Sequence, residues 1–146
     1  MLIFLMKKLS IIILVLFFSV KTTYAEDYNW SRVVSTTDES TDFYIDKKSV
    51  RKVGKFHYFW MMADYIKLEQ GDNPNVRSNI SFNILNCKTN EFKMVTHTSF
   101  TLNKARGEID MDIIIPDEDV SYFEWNYYGK KTSFGMFFKK VCKLGV

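Results

Sequence analysis

The residue types that most often perform catalysis or bind metals are few in this chain. His57 and His97 are the only histidines among 146 residues, and acids such as Asp64 or Asp112 could be their metal-binding or acid-base partners. Zinc sites of the familiar kinds need three or four ligands at recognisable spacing, such as H-E-x-x-H or paired C-x-x-C, and neither pattern occurs. We therefore expect both histidines to be ordinary residues of a sheet.

Two other arrangements could support chemistry. Asp110 and Asp112 are spaced to share one face of a strand, where their carboxylates could bind Ca²⁺ with further ligands, but their alternation with apolar residues favours a solvated stripe. Serine, histidine and aspartate all occur, yet no G-x-S-x-G or similar nucleophile context supports a catalytic triad. The sequence thus predicts a protein that is not an enzyme and that uses neither a cofactor nor a metal.

Cys87 and Cys142 are the only cysteines. A redox pair needs close spacing such as C-x-x-C and a perturbed thiol, and these two residues lie far apart in the chain. In an oxidising compartment an even number of cysteines forms bridges, and two cysteines allow a single intramolecular pairing. We predict a structural disulfide between them.

The N-terminus has the three parts of an export signal in the right order. Lys7 and Lys8 form a positive start, residues 11–20 form an uninterrupted apolar run, and Thr23-Tyr24-Ala25 offers a small-x-small cleavage site. We predict that residues 1–25 are a signal peptide cleaved after Ala25, which places the mature protein outside the cytoplasm. Because the apolar run is too short to span a bilayer, we expect no stable membrane span after cleavage.

Two alternatives stay open at this end of the chain. Residues 1–6 would lengthen the apolar run into an uncleaved anchor if the two lysines were tolerated inside it. Since Met6 and the lysines after it make a complete signal alone, translation could also start at Met6 instead of Met1. N-terminal sequencing of the precursor would decide between the two starts.

The mature chain, residues 26–146, is long enough for one domain with a modest core. The signal peptide holds three of the 20 Lys and Arg residues and none of the 17 acids, so the mature chain has 17 of each sign. The basic isoelectric point near 8.8 belongs largely to the removed segment. Net charge therefore gives no argument for binding nucleic acid or an anionic membrane.

Alternating apolar and polar residues predict an antiparallel sheet of about six strands. Besides a short strand at 50–53, the six strand-like segments are 30–34, 43–46, 55–67, 76–86, 92–102 and 109–115. The longest segment, 55–67, is mostly apolar on both faces, so we expect a central strand that is covered on both sides. In 76–86 the apolar residues fall at even positions and the polar ones at odd positions, which predicts a buried even face and a wet odd face.

The hydrophobic period changes at the C-terminus. Apolar residues recur at helical spacing, namely Phe134, Phe137, Phe138, Val141 and Cys142. Thr132 or Ser133 can cap the N-terminus of this helix, and Gly145 lies just past its end. Since Cys142 lies on the apolar stripe, we predict an α+β fold in which the helix packs on one face of the sheet, tied to it through Cys87.

An aromatic cluster comes just before the helix, in a loop-like stretch. Its members are Tyr122, Phe123, Trp125, Tyr127 and Tyr128. Tyrosine and tryptophan dominate the energetics of protein interfaces, so Tyr122, Trp125, Tyr127 and Tyr128 are our candidate contact surface. The alternative is packing beneath the helix, because a small domain with so many aromatic residues must bury most of them.

This order and spacing of residues resembles the surface-adhesin protein E family. The residues that carry the resemblance are Trp30, Val33, Tyr44-Ile45-Asp46, Ser49-Val50, Gly54, Trp60, Asp64-Tyr65, Ser78, Cys87 and Cys142. The family consists of small exported bacterial domains in which a disulfide ties a C-terminal helix to a six-stranded antiparallel sheet. This chain departs from the family pattern at residues 105–107, where glycine is usually richer, and near Tyr128-Gly129, where a Pro-Gly-Ser turn is common.

The resemblance implies an exported domain whose relatives adhere to host extracellular-matrix and plasma proteins. Our hypothesis is adhesin-like protein binding at the cell surface or in the periplasm, with an extracellular-matrix or envelope protein as partner. The alternative is a periplasmic structural or small-ligand-binding protein that uses the concave face of the sheet and has no host contact. A homodimer through an exposed edge strand also stays open, because sequence does not identify the edge.

Overall fold

The computed structural model describes residues 28–114 and 124–144. The predicted signal peptide and Tyr122 lie outside the described residues. The strands are β1 (Trp30–Ser35), β2 (Thr41–Asp46), β3 (Arg51–Val53), β4 (Phe56–Tyr65), β5 (Ser78–Asn86), β6 (Glu91–Leu102), β7 (Arg106–Ile114) and β8 (Asn126–Tyr127), and helix α1 spans Ser133–Val141. The predicted α+β fold is confirmed.

The strands form one antiparallel sheet in the order β1-β2-β4-β5-β6-β7. This path of six strands agrees with the predicted number, and two short strands add to it: β3 pairs with the start of β4, and β8 pairs with the start of β6. A short 3-10 turn, Lys47–Ser49, connects β2 to β3. Because β4 and β5 are paired along both sides, they form the centre of the sheet.

Helix α1 covers the face of the sheet that carries the odd-numbered residues of β4. Phe59 and Met61 of β4 pack with Phe137 and Phe138 of α1 in the larger hydrophobic core, and all four side chains are buried. The predicted disulfide is present between Cys87, just after β5, and Cys142, just after α1. Aromatic packing and one covalent bond thus hold the helix on this face.

Thr132 and Gly135 set where the helix begins and how closely it approaches its neighbours. The Thr132 hydroxyl accepts a hydrogen bond of 3.0 Å from the Gly135 N–H. Of the two predicted candidates, Thr132 is therefore the residue that caps the N-terminus of the helix. A Cβ atom on Gly135 would clash with the Gly129 carbonyl and the Lys130 backbone. A residue with any side chain at 135 would therefore push the first turn of the helix away from the preceding loop.

The opposite face, which we call the helix-free face, has a smaller buried cluster at one end. It consists of Met62, Ile80, Phe100 and Ala105, with Tyr28 and Trp30 packed against it. The loop between β6 and β7 folds back over this cluster, since Asn103 and Lys104 hydrogen-bond to the buried carboxylate of Asp64. Only this end of the helix-free face is sealed by the chain's own residues in the described structure.

The predicted wet and buried faces of β5 are reversed over residues 81–84, whereas Ile80 is buried as predicted. Ser81 and Asn83, expected to be exposed, are buried on the helix side, while Phe82 and Ile84 lie half-exposed on the helix-free face. The cause is register, because Asn83 and Ser81 pair with Phe59 and Met61 on the face that the helix covers. The Asn83 amide donates to the Ser81 hydroxyl at 2.9 Å, which satisfies these polar groups inside the protein.

Candidate binding surfaces

The predicted aromatic contact surface is divided between different environments. Trp125 stacks on Phe56 of the helix-free face, with ring centroids 5.5 Å apart. Tyr127 lies in β8 and is 69% exposed, whereas Tyr128 is buried beneath the helix, 4.8 Å from the ring of Phe138. Since these three side chains do not form one surface and Tyr122 lies outside the described residues, their role in binding stays a prediction.

The two histidines lie in different surroundings, and burial affects both. His57 is buried on the helix side, with Nδ1 at 3.3 Å from the Cys87 sulfur. Burial lowers its pKa, and the positive charge of Lys52 lowers it further. His97 Nε2 lies 2.9 Å from the Ser99 hydroxyl, and burial lowers the pKa of this imidazole as well.

One cavity of about 250 Å³ does bring His97 and Ser99 near an acid, Asp72. The serine is buried in β6, and its backbone is paired with both β5 and β7, so no free N–H stands beside it to stabilise an oxyanion. The Asp72 carboxylate accepts the Glu69 N–H at 2.6 Å. The cavity is therefore polar, and the hydroxyl-bearing residue Ser99 is buried rather than exposed.

The two acids weighed as calcium ligands have separate partners. Asp110 contacts the side-chain amide of Asn73 at 3.4 Å, and Asp112 accepts a hydrogen bond of 2.6 Å from Thr98. A shift in the register between β6 and β7 separates Ile109 from Met111, so the alternation across Asp110 is interrupted. Among the described residues, no group of three or more His, Cys, Asp or Glu side chains is placed to hold a metal ion.

The first exposed apolar region is strand β7 at the edge of the sheet. Ile109, Met111 and Ile113 are each 44–46% exposed, although alternation in the sequence predicted one buried face. Through their pairing with Ser99 and His97, Met111 and Ile113 lie on the same face of the sheet as the helix. The helix makes its main strand contacts with β1, at the opposite edge of the sheet. Within the described residues, β7 pairs only with β6, so its outer backbone edge is unpaired.

The opposite edge of the sheet, strand β1, is blocked. A register irregularity between Arg32 and Val34 places an extra residue, Val33, in this strand. The side chain of Lys140, from the helix, donates to the Val33 carbonyl at 2.6 Å. A bulge and a lysine are common ways to prevent pairing at a sheet edge, so β7 is the more accessible of the two edges.

The second exposed region is a shallow cavity of about 390 Å³ on the helix-free face, which we call the aromatic groove. It is lined by Ser49, Arg51, Val53, Tyr58, Trp60 and Phe82. The Phe82 ring lies 5.1 Å from the Trp60 ring and 6.5 Å from the Tyr58 ring. The Ser49 hydroxyl donates to the Asp46 carbonyl and accepts the Trp60 N–H, which fixes the 3-10 turn against β4.

Our sequence analysis did not find either region. Residues 47–63 hold five basic side chains and no acid, next to the most aromatic strand, so a count of charge along the chain would have indicated the groove. Exposure of β7 has no comparable local indication, because its alternating pattern is the same as that of a half-buried strand.

A sheet with one face sealed by a disulfide-tethered helix, and with an open edge and groove elsewhere, defines a small α+β binding domain. The family model described as surface-adhesin protein E matches residues 30–143, so the chain belongs to the surface-adhesin protein E family. Its description as a surface adhesin agrees with an exported or cell-surface location and with binding rather than catalysis. Comparison with curated proteins gives no significant match. In the described part of the chain, no helix is long and apolar enough to cross a membrane.

Proposed function

We propose that this protein is an exported, non-enzymatic adhesin-like domain that binds its protein partner at the outer edge of β7. The observation that carries this proposal is the combination, on one strand, of three exposed apolar side chains, Ile109, Met111 and Ile113, with a backbone edge that no other described strand pairs with. An exposed edge strand of this kind accepts an extended segment of another chain as an added strand.

The backbone and the side chains of β7 would have different roles in such a complex. In an antiparallel pair every second residue directs its N–H and C=O groups away from its neighbour, so β7 offers these groups to an added strand. Met111 and Ile113 lie on one face of the strand opposite Ser99 and His97, and Asp112 lies on the other face opposite Thr98. The backbone would supply affinity, and the two rows of side chains would supply specificity.

The acids of β7 disfavour a second copy of this chain as the partner. A twofold axis at Met111 would place Asp110 opposite Asp112 of the second copy, and an axis at Asp112 would place that acid opposite itself. Like charges directly opposite each other destabilise an antiparallel pair. The preferred partner is therefore a protein segment in which basic residues alternate with apolar ones, presented by an extracellular-matrix or envelope protein.

Substitution of two exposed residues of β7 tests this proposal. The exported, oxidised chain would be immobilised and exposed separately to matrix proteins and to envelope extract, and compared with a Met111→Ser/Ile113→Ser variant. Met136→Ser is the matched control, since Met136 is an exposed apolar residue of helix α1, 37% exposed, and belongs neither to β7 nor to the aromatic groove. We expect the control to retain the captured partner and the double variant to lose it by tenfold or more in affinity.

The result that contradicts the proposal is equal capture by the wild-type protein and the double variant, or no capture by the wild-type protein. Circular dichroism melting curves show whether a variant that fails to bind is still folded. Because all three substituted side chains are partly exposed, we expect stability changes within about 0.5 kcal/mol for each.

The alternative function is small-ligand binding in the periplasm, and the aromatic groove is the observation that favours it. Cavities that hold small molecules have volumes of about 300–1,000 Å³, and the groove is at the low end of this range. Protease added to intact cells discriminates between the two functions. Removal of the mature chain supports display at the surface, and protection of the chain supports the periplasmic alternative.

A further inference from the structure

We propose that the aromatic groove is a binding site for an anionic polysaccharide. Tyr58, Trp60 and Phe82 would stack against the sugar rings, and basic side chains at the rim would pair with sulfate or carboxylate groups. This activity is independent of strand addition at β7, because the groove lies between β3 and β5 and shares no residue with that edge.

The charge around the groove is positive and is not neutralised by neighbouring residues. Lys47, Lys48, Arg51, Lys52 and Lys55 fall in a stretch of nine residues, and no acid occurs between Asp46 and Asp64. The ion pairs of the described residues are formed by Arg32 with Asp42 and by Lys104 with Asp64. The basic side chains at the groove are therefore available to the anionic groups of a ligand.

Strand pairing places one of these cations, Arg51, at the groove itself, and Lys55 lies nearby. Arg51 of β3 pairs with Tyr58 of β4, which directs its exposed side chain to the helix-free face beside the aromatic floor. Lys55 lies with its Nζ atom 5.1 Å from the centre of the Phe56 ring, on the same face. A guanidinium group binds sulfate and carboxylate oxygens through two parallel hydrogen bonds, which favours Arg51 as the principal contact.

The aromatic surface continues beyond the groove toward β8. The Phe56 ring stacks on Trp125, and Lys55 lies over the Phe56 ring. Alternating rings and cations along one face match a chain of sugars, in which apolar C–H faces alternate with charged substituents. A single small anion would need only one of these positions.

The groove is unsuited to the main chain of a peptide. Its floor is formed by β4 and β5, and both of these strands use their backbone groups in the ladders with their neighbours. An acidic peptide lying on this floor would find rings and cations but no N–H or C=O groups of β4 or β5 to pair with, as strand addition requires. Sugar rings need no such backbone partners, so the surface favours a polysaccharide over a polypeptide.

Calorimetric titration of the exported, oxidised chain with a heparin hexasaccharide tests the site, with a neutral dextran oligosaccharide as the comparison. We expect binding of the sulfated sugar and not of dextran, with weaker binding as salt is raised. Arg51→Ala should weaken the affinity roughly tenfold, as expected for loss of a charge-assisted hydrogen-bonded contact. Arg51→Lys should restore part of that loss, and Tyr58→Ala should weaken binding without changing its salt dependence.

Lys131→Ala is the matched control, because it removes one exposed positive charge near the start of the helix and away from the groove. Equal weakening by Lys131→Ala and Arg51→Ala would show general attraction to a polyanion and would overturn the proposal. Tighter binding of a single-stranded oligonucleotide or of polyglutamate than of the hexasaccharide would overturn it in favour of those partners. Failure to bind the hexasaccharide would overturn it directly, whereas the Met111→Ser/Ile113→Ser variant should bind the sugar like the wild-type protein.

Discussion

At the scale of single residues, the main buried charge is the carboxylate of Asp64 in β4. Its Oδ1 atom accepts hydrogen bonds of 2.9 Å from the Asn103 side chain and from the Lys104 N–H. Its Oδ2 atom forms an ion pair with the Lys104 ammonium at a distance of 3.1 Å. Lys104 also contacts the Tyr44 hydroxyl and ring, so one loop residue joins β2, β4 and the β6–β7 loop.

This carboxylate holds a loop with an unusual backbone. Lys104 and Ala105 have φ angles of +62° and +52°, in the left-handed region that favours glycine. Asparagine or aspartate side chains tolerate this region better than lysine or alanine do, and Ala105 is moreover buried. The hydrogen bonds to Asp64 therefore offset a local cost where the family pattern is richer in glycine.

Asp64→Asn should destabilise the protein by about 2–3 kcal/mol, because it removes the charge that the loop donors and Lys104 face. Urea unfolding of the oxidised chain measures this difference. The control is Arg32→Ala, which breaks the more exposed ion pair with Asp42 and should cost less than about 1 kcal/mol. Similar costs for the two variants would contradict the role of Asp64 as the anchor of the loop.

The two histidines predict how stability depends on pH. Burial lowers the pKa of both His57 and His97 in the folded protein below their usual value of 6.5. As the pH falls through 6.5, the unfolded chain therefore binds more protons than the folded one, and the free energy of unfolding decreases. The slope cannot exceed about 1.4 kcal/mol per pH unit for each histidine.

Urea unfolding between pH 7.5 and 5.5 checks this dependence. The His57→Gln and His97→Gln variants should each lose part of the slope. Glu69 acts in the opposite direction, because the neighbouring Asp38 carboxyl raises its pKa and protonation then favours the folded state. A wild-type stability that is constant or increases on acidification across this range would contradict the account.

At the scale of elements, the main feature is the disulfide that ties the end of helix α1 to the end of β5. Cys87 and Cys142 are 55 residues apart in sequence, and their bond closes a loop that contains β6, β7 and β8. Cross-linking a loop of this length restricts the unfolded chain and stabilises the folded state by about 4 kcal/mol. The aromatic contacts of Phe137 and Phe138 with β4 act in addition to this bond.

The Cys87→Ala/Cys142→Ala variant should therefore unfold at a lower urea concentration, with a loss of about 4 kcal/mol. If this loss exceeds the stability of the domain, the variant should be unfolded even without urea, and its circular dichroism spectrum should be that of an unfolded chain. Wild-type protein treated with reductant should behave like the double variant, which separates loss of the bond from loss of the side chains. Unchanged stability in both cases would show that the bond does not hold the helix in place.

Periodicity identified these elements but could not assign their environments. The spacing from Phe134 to Cys142 predicted the helix and the residue that ties it to the sheet, because both depend on neighbours three and four positions away. The alternation in β5 predicted which residues share a face. It did not predict that Ser81 and Asn83 lie on the helix side, because this depends on pairing with β4, a contact between distant segments.

At the scale of the whole molecule, the distribution of charge matters more than its sum. The balanced composition predicted for the mature chain removed the argument from a high isoelectric point, but it concealed a basic stretch from Lys47 to Lys55 and the acids of β7. These regions lie at different positions in the sheet, with β4, β5 and β6 between them. A net charge carries no information about such separation, which appears only when the strand order is known.

The same limit applied to the aromatic residues. Sequence identified Trp125, Tyr127 and Tyr128 as neighbours in a loop-like stretch, and the fold separated them because residues just before the helix cross from one face of the sheet to the other. The groove instead gathers Tyr58 and Trp60 from β4 with Phe82 from β5. Residues that are close in sequence and residues that form a surface are thus different sets in this domain.

The central claim is that β7 binds a protein partner. The most direct test of this claim is the ratio of two dissociation constants. It compares the Met111→Ser/Ile113→Ser variant with the wild-type protein, both exported and oxidised, against the same captured matrix or envelope protein. The account predicts a ratio of ten or more, with the ratio for Met136→Ser close to one. A ratio near one for the β7 variant, with the protein folded, would contradict it.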